Sequence, residues 1–263
     1  MSASDSVSEN NHKQWSSGLS AFVYRNASDL YPAETALLQQ LGEELAEARF
    51  LDIGVGTGRT TGHLCERVRD YVGVDYAPAM IERARLRFPA ADLQVMDARN
   101  LDALVSGSFD MAMFSFNGID YVSPADRYRV LASVRRVLKV GGAFLFSAHN
   151  RETSVPQAHD LANLKLSPNP MRLARNVAGF GLGILNSAKL KAGEIETFDY
   201  ALRNDSANQY GLLTYYIRLA DQVRQLASAG FGAIEAYGIA GERLDPTTPY
   251  TEAFMIHYLA RKL

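Results

Sequence analysis

Cysteine is almost absent from the 263-residue chain. The lone Cys65 excludes an intrachain disulfide, and its place in an amphipathic stretch marks it as a buried structural thiol suited to a reducing cytoplasm. Net charge is equally scarce. Against 29 acidic residues stand 27 Lys and Arg, and a balance of −2 supplies no field to gather a polyanion, so nucleic acid is not an expected partner. No run approaches the roughly twenty uninterrupted apolar residues of a bilayer-crossing helix, so no membrane span is expected. Histidine is sparse too. His63, His159 and His257 include no pair at metal-ligand spacing, which leaves no expected metal site. Met1 to Lys13 is rich in Ser, Asn and Asp and lacks an apolar segment, so it is expected to be a disordered lead-in rather than a signal peptide or anchor. What is present is ordinary globular material, 47% apolar and 21% charged, enough to bury the core of one large α/β domain with an elaborated cap.

From Arg49 to Asn150, short β-branched or aromatic runs alternate with amphipathic ones, the pattern of repeated βαβ units and a parallel sheet. Strands are expected at 50–53, 71–75, 93–96, 109–114 and 143–148. Helices are expected at 31–48, 60–68, 77–88 and 125–138, the last started by Ser123-Pro124 and stopped by Gly141-Gly142. After Asn150 the pattern breaks until Ile217, too long a stretch for a bare connection. Residues 151–216 are therefore expected to form an inserted cap or lid, with β-runs at 194–202 and 211–216 joined by the turn-rich 204–208 as a β-hairpin. A helix over 217–229 and strands over 231–237 and 254–260 resume the regular order. The division is thus a leading segment, 1–30; an α/β domain, 31–150 with 217–263; and a cap, 151–216.

The strongest chemical signal is Phe50-Leu-Asp-Ile-Gly54-Val-Gly56-Thr-Gly58, a strand running straight into a glycine turn and then a helix. Such a turn lets a ligand approach the backbone within van der Waals contact. The third glycine of a dinucleotide fingerprint would fall on Arg59 or Thr61, and no Lys-Ser/Thr follows the loop, so neither a dinucleotide nor a P-loop phosphate is indicated. Asp52, just before the loop, disfavours an anion and suits a cationic ligand. Asp75 closes the second strand, where an acidic residue accepts hydrogen bonds from a ribose. Asp97 closes the third, where a carboxylate can take the amine of adenine or merely cap a turn.

Together these residues resemble the class I S-adenosylmethionine-dependent methyltransferases, closely over 50–150 and more loosely over 217–263. That family's glycine motif is similar to 51–58, its ribose acid to Asp75 in Val72-Gly-Val-Asp-Tyr-Ala-Pro-Ala-Met80, and its adenine-side acid to Asp97 with Ala98 beside it. Phe109 to Ser115 resembles its fourth strand. The resemblance implies a doubly wound, mostly parallel sheet of seven strands with the last antiparallel, and S-adenosylmethionine as cofactor. It also implies Tyr76 and Met80 flanking the adenine, although either can equally be core, and Tyr24 closing over the cofactor.

The acceptor side of such a fold lies in the loops after strands four and five and in the cap. Asn117 and Asp120 fall in the first loop and His149 at the end of the fifth strand, where its ordinary pKa near neutrality makes it the candidate base for an acceptor hydroxyl. Tyr215 and Tyr216 lead the aromatic residues of the cap, which suit a hydrophobic or ring-bearing small molecule. No Asn-Pro-Pro-Tyr type of motif is present; Ser115-Phe-Asn-Gly118 stands in its place. Two alternatives remain, aminopropyl transfer, for which no acidic polyamine site is seen, and a non-catalytic cofactor-binding regulator or assembly protein. Finally, Val177, Phe180, Ile184, Leu185 and Ala188 form an apolar helical stripe flanked by Arg172, Arg175, Lys189 and Lys191. A membrane surface is one use for it. Gly179, Gly181 and Gly183 weaken the helix and favour a mobile lid or a subunit contact, such as a homodimer through the cap.

Overall fold

The computed structural model describes residues 3–16 and 28–263. Five strands, β1 (Arg49–Ile53), β2 (Asp70–Asp75), β3 (Asp92–Val95), β4 (Phe109–Phe114) and β5 (Leu138–Asn150), run parallel to one another. Two more, β9 (Phe231–Tyr237) and β11 (Met255–Lys262), complete the order β3-β2-β1-β4-β5-β11-β9, with β11 antiparallel to both neighbours. These seven are the expected doubly wound sheet. The whole sheet has eleven strands among the described residues, because β10 (Arg243–Leu244) pairs with β9, and β6 (Ile195–Glu196), β7 (Tyr200–Asn204) and β8 (Leu213–Ile217) add to the far end of β5. β7 and β8 are antiparallel, and β8 sets Tyr216 opposite His149 and Ile217 opposite Asn150.

Side-chain alternation along the strands builds a core on each face. Leu51 and Ile53 of β1, with Phe144 and Phe146 of β5, pack with Val130, Leu131 and Val134 of α5 (Pro124–Val137). Phe50, Met111, Met113 and Leu145 point the other way, onto Leu37, Leu38 and Leu41 of α2 (Pro32–Ala46) and Ile81 and Ala84 of α4 (Pro78–Arg87). Each such side chain fully removed from water contributes roughly 1.5–3 kcal/mol. α5 begins where Ser123 Oγ accepts the Asp126 amide at 3.1 Å, with Pro124 in the first turn, and it ends on Arg135 and Arg136.

Three local expectations are corrected. The 3–13 stretch is helical as part of α1 (Ala3–Trp15), not a disordered lead: Ser8 Oγ donates to Asp126 at 2.5 Å and Asn11 Nδ2 to the Leu213 carbonyl at 2.7 Å, so the polar residues are themselves the anchors. The helix expected over 60–68 shrinks to α3 (Thr61–Leu64), beyond which the Arg67 and Val68 amides both turn back onto the Leu64 carbonyl, at 2.9 and 3.2 Å. Gly141-Gly142 does not stop α5, which ends at Val137; it forms an irregularity in β5, with Gly141 at φ +78°, between the Phe109–Leu138 and Met111–Ala143 pairings.

Candidate active site

A cavity of about 490 Å³ opens beyond the carboxyl ends of β1, β2 and β4. Gly54, Gly56, Asp75, Tyr76, Met80, Ala98 and Ser115 all line it. The three glycines of the turn divide the work. A Cβ on Gly54 would stand 2.6 Å from the Phe114 ring, and one on Gly58 2.6 Å from the Phe88 ring, so these two make room for packed aromatics. Gly56, at φ +55°, has nothing within 4 Å of its missing Cβ: it is the one that faces open space. Gly58 does not border the cavity, and Tyr24 lies outside the described residues.

Asp75 forms the floor beside Gly56. Its Oδ2 accepts the Gly56 amide at 2.9 Å and its Oδ1 the Ala77 amide at 2.8 Å. Burial pushes its carboxyl up to about 6, against the pull of those two bonds. Asp52 is withdrawn from the cavity and fully buried, receiving Thr60 Oγ1 at 2.5 Å and the Tyr71 hydroxyl at 2.8 Å; burial likewise raises it to about 6. Its task is to pin the helix start that follows the turn. Asp97 is turned away as well: its carboxylate takes a forked hydrogen bond from Arg99, at 2.6 Å at the closest, and the guanidinium holds it below the usual carboxylate range despite partial burial.

The mouth is built from a pairing that the sequence did not announce. Arg59 Nη1 and Nη2 meet the two oxygens of Glu34 at 2.8 and 2.6 Å, while Glu34 Oε2 also accepts the Tyr31 amide at 2.8 Å. This fork clamps 29–34 onto the glycine turn, and Phe116 covers it, lying under the Arg59 guanidinium at 5.3 Å and stacked on Tyr31 at 6.1 Å. Phe116 and Asn117 are both left-handed, at φ 53° and 55°. Strain of this kind in non-glycine residues gathers at functional loops. Behind Tyr31, His257 is buried with neither ring nitrogen bonded, and burial lowers it to about 4, so it is neutral.

On the cap side, Asp120 Oδ2 accepts both the His149 amide at 2.6 Å and His149 Nδ1 at 2.8 Å. Its other oxygen pairs with Arg127, and both residues have no exposed surface. Arg127 is otherwise met by Gln225 at 2.9 Å, Gln222 at 2.6 Å and the Ile119 carbonyl at 3.1 Å, and stacks on Tyr215 at 4.4 Å. A buried ion pair persists only with its remaining donors satisfied, as here. The carboxylate fixes His149 as the Nδ1–H tautomer, and Nε2 has no partner among the described residues. The ring is enclosed by Tyr121, Tyr216 and Phe254, at 5.9, 4.9 and 6.4 Å. Of these groups only Tyr121 lines the cavity; Asn117, Asp120, His149, Tyr215 and Tyr216 stand one layer behind. Tyr216 donates to Asp205 at 2.9 Å, and Asn117 gives its amide to Ser147 Oγ at 2.8 Å.

Comparison with known proteins follows the same outline. Residues 50–142 match the model of a methyltransferase domain. The chain is 36% identical over 127 residues to a biotin biosynthesis bifunctional protein, BioHC, from Cellvibrio japonicus, covering 48% of the chain and 24% of that protein. It is 31% identical over 123 residues to a ubiquinone biosynthesis O-methyltransferase from Xanthomonas oryzae pv. oryzae, covering 45% and 49%. The chain thus spans about half, or less, of the length of these curated relatives. The fold is similar to that of a 1,6-didemethyltoxoflavin-N1-methyltransferase from Burkholderia thailandensis solved with S-adenosylhomocysteine, with a TM-score of 0.54 at 17% identity over 91% of this chain and 80% of that one. Strand order, glycine turn and sequence match converge: residues 50–142 carry a methyltransferase domain, and the chain has the Rossmann-like fold of the class I S-adenosylmethionine-dependent methyltransferases.

Proposed function

We propose that the chain transfers the methyl group of S-adenosylmethionine to an oxygen or nitrogen of a small, apolar or aromatic acceptor. The observation that carries this is the meeting of Gly56 and Asp75: an open-faced, left-handed glycine tied at 2.9 Å to a buried carboxylate. A sugar edge can approach backbone only where no Cβ intervenes, and a carboxylate beside it accepts from both hydroxyls of the diol. The residues fit the rest of the cofactor too. We assign Asp75 to the ribose, Tyr76, Met80 and Ala98 to the adenine, and Gly54, Gly56 and Ser115 to the methionine end, with Tyr24 as cover. Asp52 and Gly58 support the turn, and Asp97 stays with Arg99.

When bound, the cofactor supplies a methyl group on a positively charged sulfur. The protein's work is then alignment of the acceptor behind that carbon, with water excluded by the aromatic wall of Tyr31, Phe116 and Tyr121. His149 is the base we assign for a hydroxyl acceptor, taking the proton on Nε2 while Asp120 steadies the resulting imidazolium. Because the ring stands behind Tyr121, this role requires the acceptor to enter beside that residue, among Asn117, Tyr215 and Tyr216. The names of the two methyltransferases compared above, one an O- and the other an N1-methyltransferase, match the two acceptor atoms considered. We place this activity in the cytoplasm, where Cys65, its thiol pushed up by burial, stays reduced.

Calorimetric titration with S-adenosylmethionine tests the reading. The wild type binds, and Asp75→Asn weakens binding by about tenfold or more, the loss of a charged hydrogen-bond acceptor being worth roughly 1.5–3 kcal/mol. Absence of wild-type binding at millimolar cofactor defeats it. Once an acceptor is found, His149→Asn lowers kcat and leaves cofactor affinity unchanged; equal turnover removes His149 from the chemistry.

A further inference from the structure

The helix α6 (Pro170–Leu190) is built inside out. At about 100° per residue, Asn176, Gly179, Gly183 and Asn186 share one face. That face meets the protein: Gly183, the only buried residue of α6, lies where a Cβ would stand 3.2 Å from the Tyr210 ring, and Asn186 Nδ2 donates to the Gln209 carbonyl at 3.0 Å. Opposite lie Val177, Gly181, Ile184, Leu185 and Ala188, turned outward, with Val177 50% and Leu185 60% exposed. Of the glycines expected to weaken the helix, Gly179 and Gly183 instead let it sit close to 209–210 without a break.

Charge follows the same logic. From Leu161 to Gly193 the chain carries Lys165, Arg172, Arg175, Lys189 and Lys191 and no acidic residue. Only Lys191 makes an ion pair among the described residues, with Glu194. Exposed large apolar side chains concentrate here as well: nine of the seventeen among the described residues fall within 161–198, Met171 and Phe198 at 84% and 78% among them. An outward stripe of exposed apolar side chains on one helix marks an interaction site. A second copy of the chain is a poor occupant, because a two-fold contact sets the same patch against itself and would oppose five cations to five. No helix of the described residues is long and apolar enough to cross a membrane, so insertion across one is not what the face serves.

We propose that α6 lies in the plane of a membrane surface that carries anionic phospholipid, its Val177–Ile184–Leu185 stripe in the headgroup–acyl boundary and Arg175 and Lys189, on the flank of that stripe, reaching lipid phosphates. This surface holds whatever the acceptor is, since it shares no residue with the cofactor cavity.

Vesicle flotation with the full chain tests it. Phosphatidylcholine vesicles containing phosphatidylglycerol carry the wild type; pure phosphatidylcholine vesicles carry at least about tenfold less, each basic residue near an anionic surface contributing about 1 kcal/mol. Ile184→Asp with Leu185→Asp abolishes flotation, Arg175→Glu with Lys189→Glu reduces it about tenfold or more, and added salt weakens the wild type. All variants keep the wild-type melting temperature and S-adenosylmethionine affinity, which separates lost docking from lost folding. The proposal is overturned by absence of flotation with phosphatidylglycerol, by flotation indifferent to the 184/185 pair, or by a sedimenting dimer of the wild type that the same pair dissociates.

Discussion

Set α5 beside α6 and the two halves of the molecule separate. Both helices begin with an Asn or Ser side chain accepting the amide three residues on, followed by proline, and both carry a strong apolar stripe. α5 turns that stripe, Val130, Leu131 and Val134, into the sheet and shows water Arg129 and Arg135; α6 turns Gly183 and Asn186 inward and shows its stripe to the outside. Periodicity establishes that a helix has two faces. Which face is covered depends on what the rest of the chain offers, and the α/β core offers β5 while the cap offers only a polar turn at 208–210.

The contrast can be broken most forcefully by placing one carboxylate on each stripe. Val134→Asp buries an unpaired charge where exposure is now zero, and is expected to cost on the order of 4 kcal/mol or more and leave little folded protein. Leu185→Asp, at a site 60% exposed, is expected to stay within about 0.5 kcal/mol of wild type. Thermal melts of the two variants decide it: similar losses would mean that α6 is packed like α5 and that its outward face is not free.

Acidity sharpens the comparison at the level of ligands. In the core, Asp75 has its carboxyl raised to about 6 from 3.8, so the folded state holds the proton more tightly than the unfolded one. The sign follows: the Asp75 contribution to stability is greatest in the protonated form below pH 3.8 and diminishes as pH rises through about 6, above which a buried charge must be carried. In the proposed binding mode the ribose is accepted by the ionised carboxylate, so cofactor binding runs the other way. Affinity for S-adenosylmethionine is therefore expected to weaken as pH drops from 7 toward 5 in the wild type and to change little in Asp75→Asn, measured by calorimetry at each pH. α6 carries no carboxylate, so vesicle flotation should hold steady over the same window. Parallel loss of both activities would show that acid loosens the whole fold rather than one carboxylate.

The same division governs how much could be read from the amino acids. Strands β4 and β9 coincide with the runs 109–114 and 231–237, because short, mostly apolar runs bounded by turn residues have few alternatives. On the cofactor side, Gly56 and Asp75 were legible from a local pattern, strand into glycine turn and acid closing the next strand, and seven of the expected residues meet around one cavity. The Arg59–Glu34 clamp was not legible, since it joins residues 25 positions apart through a fork that no periodicity encodes. Asp97 was read without its neighbour Arg99, although the two lie two residues apart, because a carboxylate's partner is settled by rotamer and not by spacing. α1 was missed for a related reason: Ser8 and Asn11 look like solvent-facing polar residues until Asp126 and Leu213 are there to receive them.

Glycine provides the smallest and most local test of the two halves. In the core, Gly54 holds φ +68° with a would-be Cβ 2.6 Å from the Phe114 ring, so Gly54→Ala is strained both by conformation and by contact and should destabilise by more than about 1 kcal/mol. In the cap, Gly181 sits in a helix with nothing within 4 Å of the missing Cβ. Alanine there removes the entropic penalty of a helical glycine, and Gly181→Ala is expected to stabilise by about 0.5–1 kcal/mol. Gly183→Ala, one turn-fraction away, brings a methyl to 3.2 Å from the Tyr210 ring and should forfeit that gain. If denaturant melts show Gly181 and Gly183 responding alike, the inward and outward faces of α6 have been assigned wrongly, and with them the surface that meets the lipid.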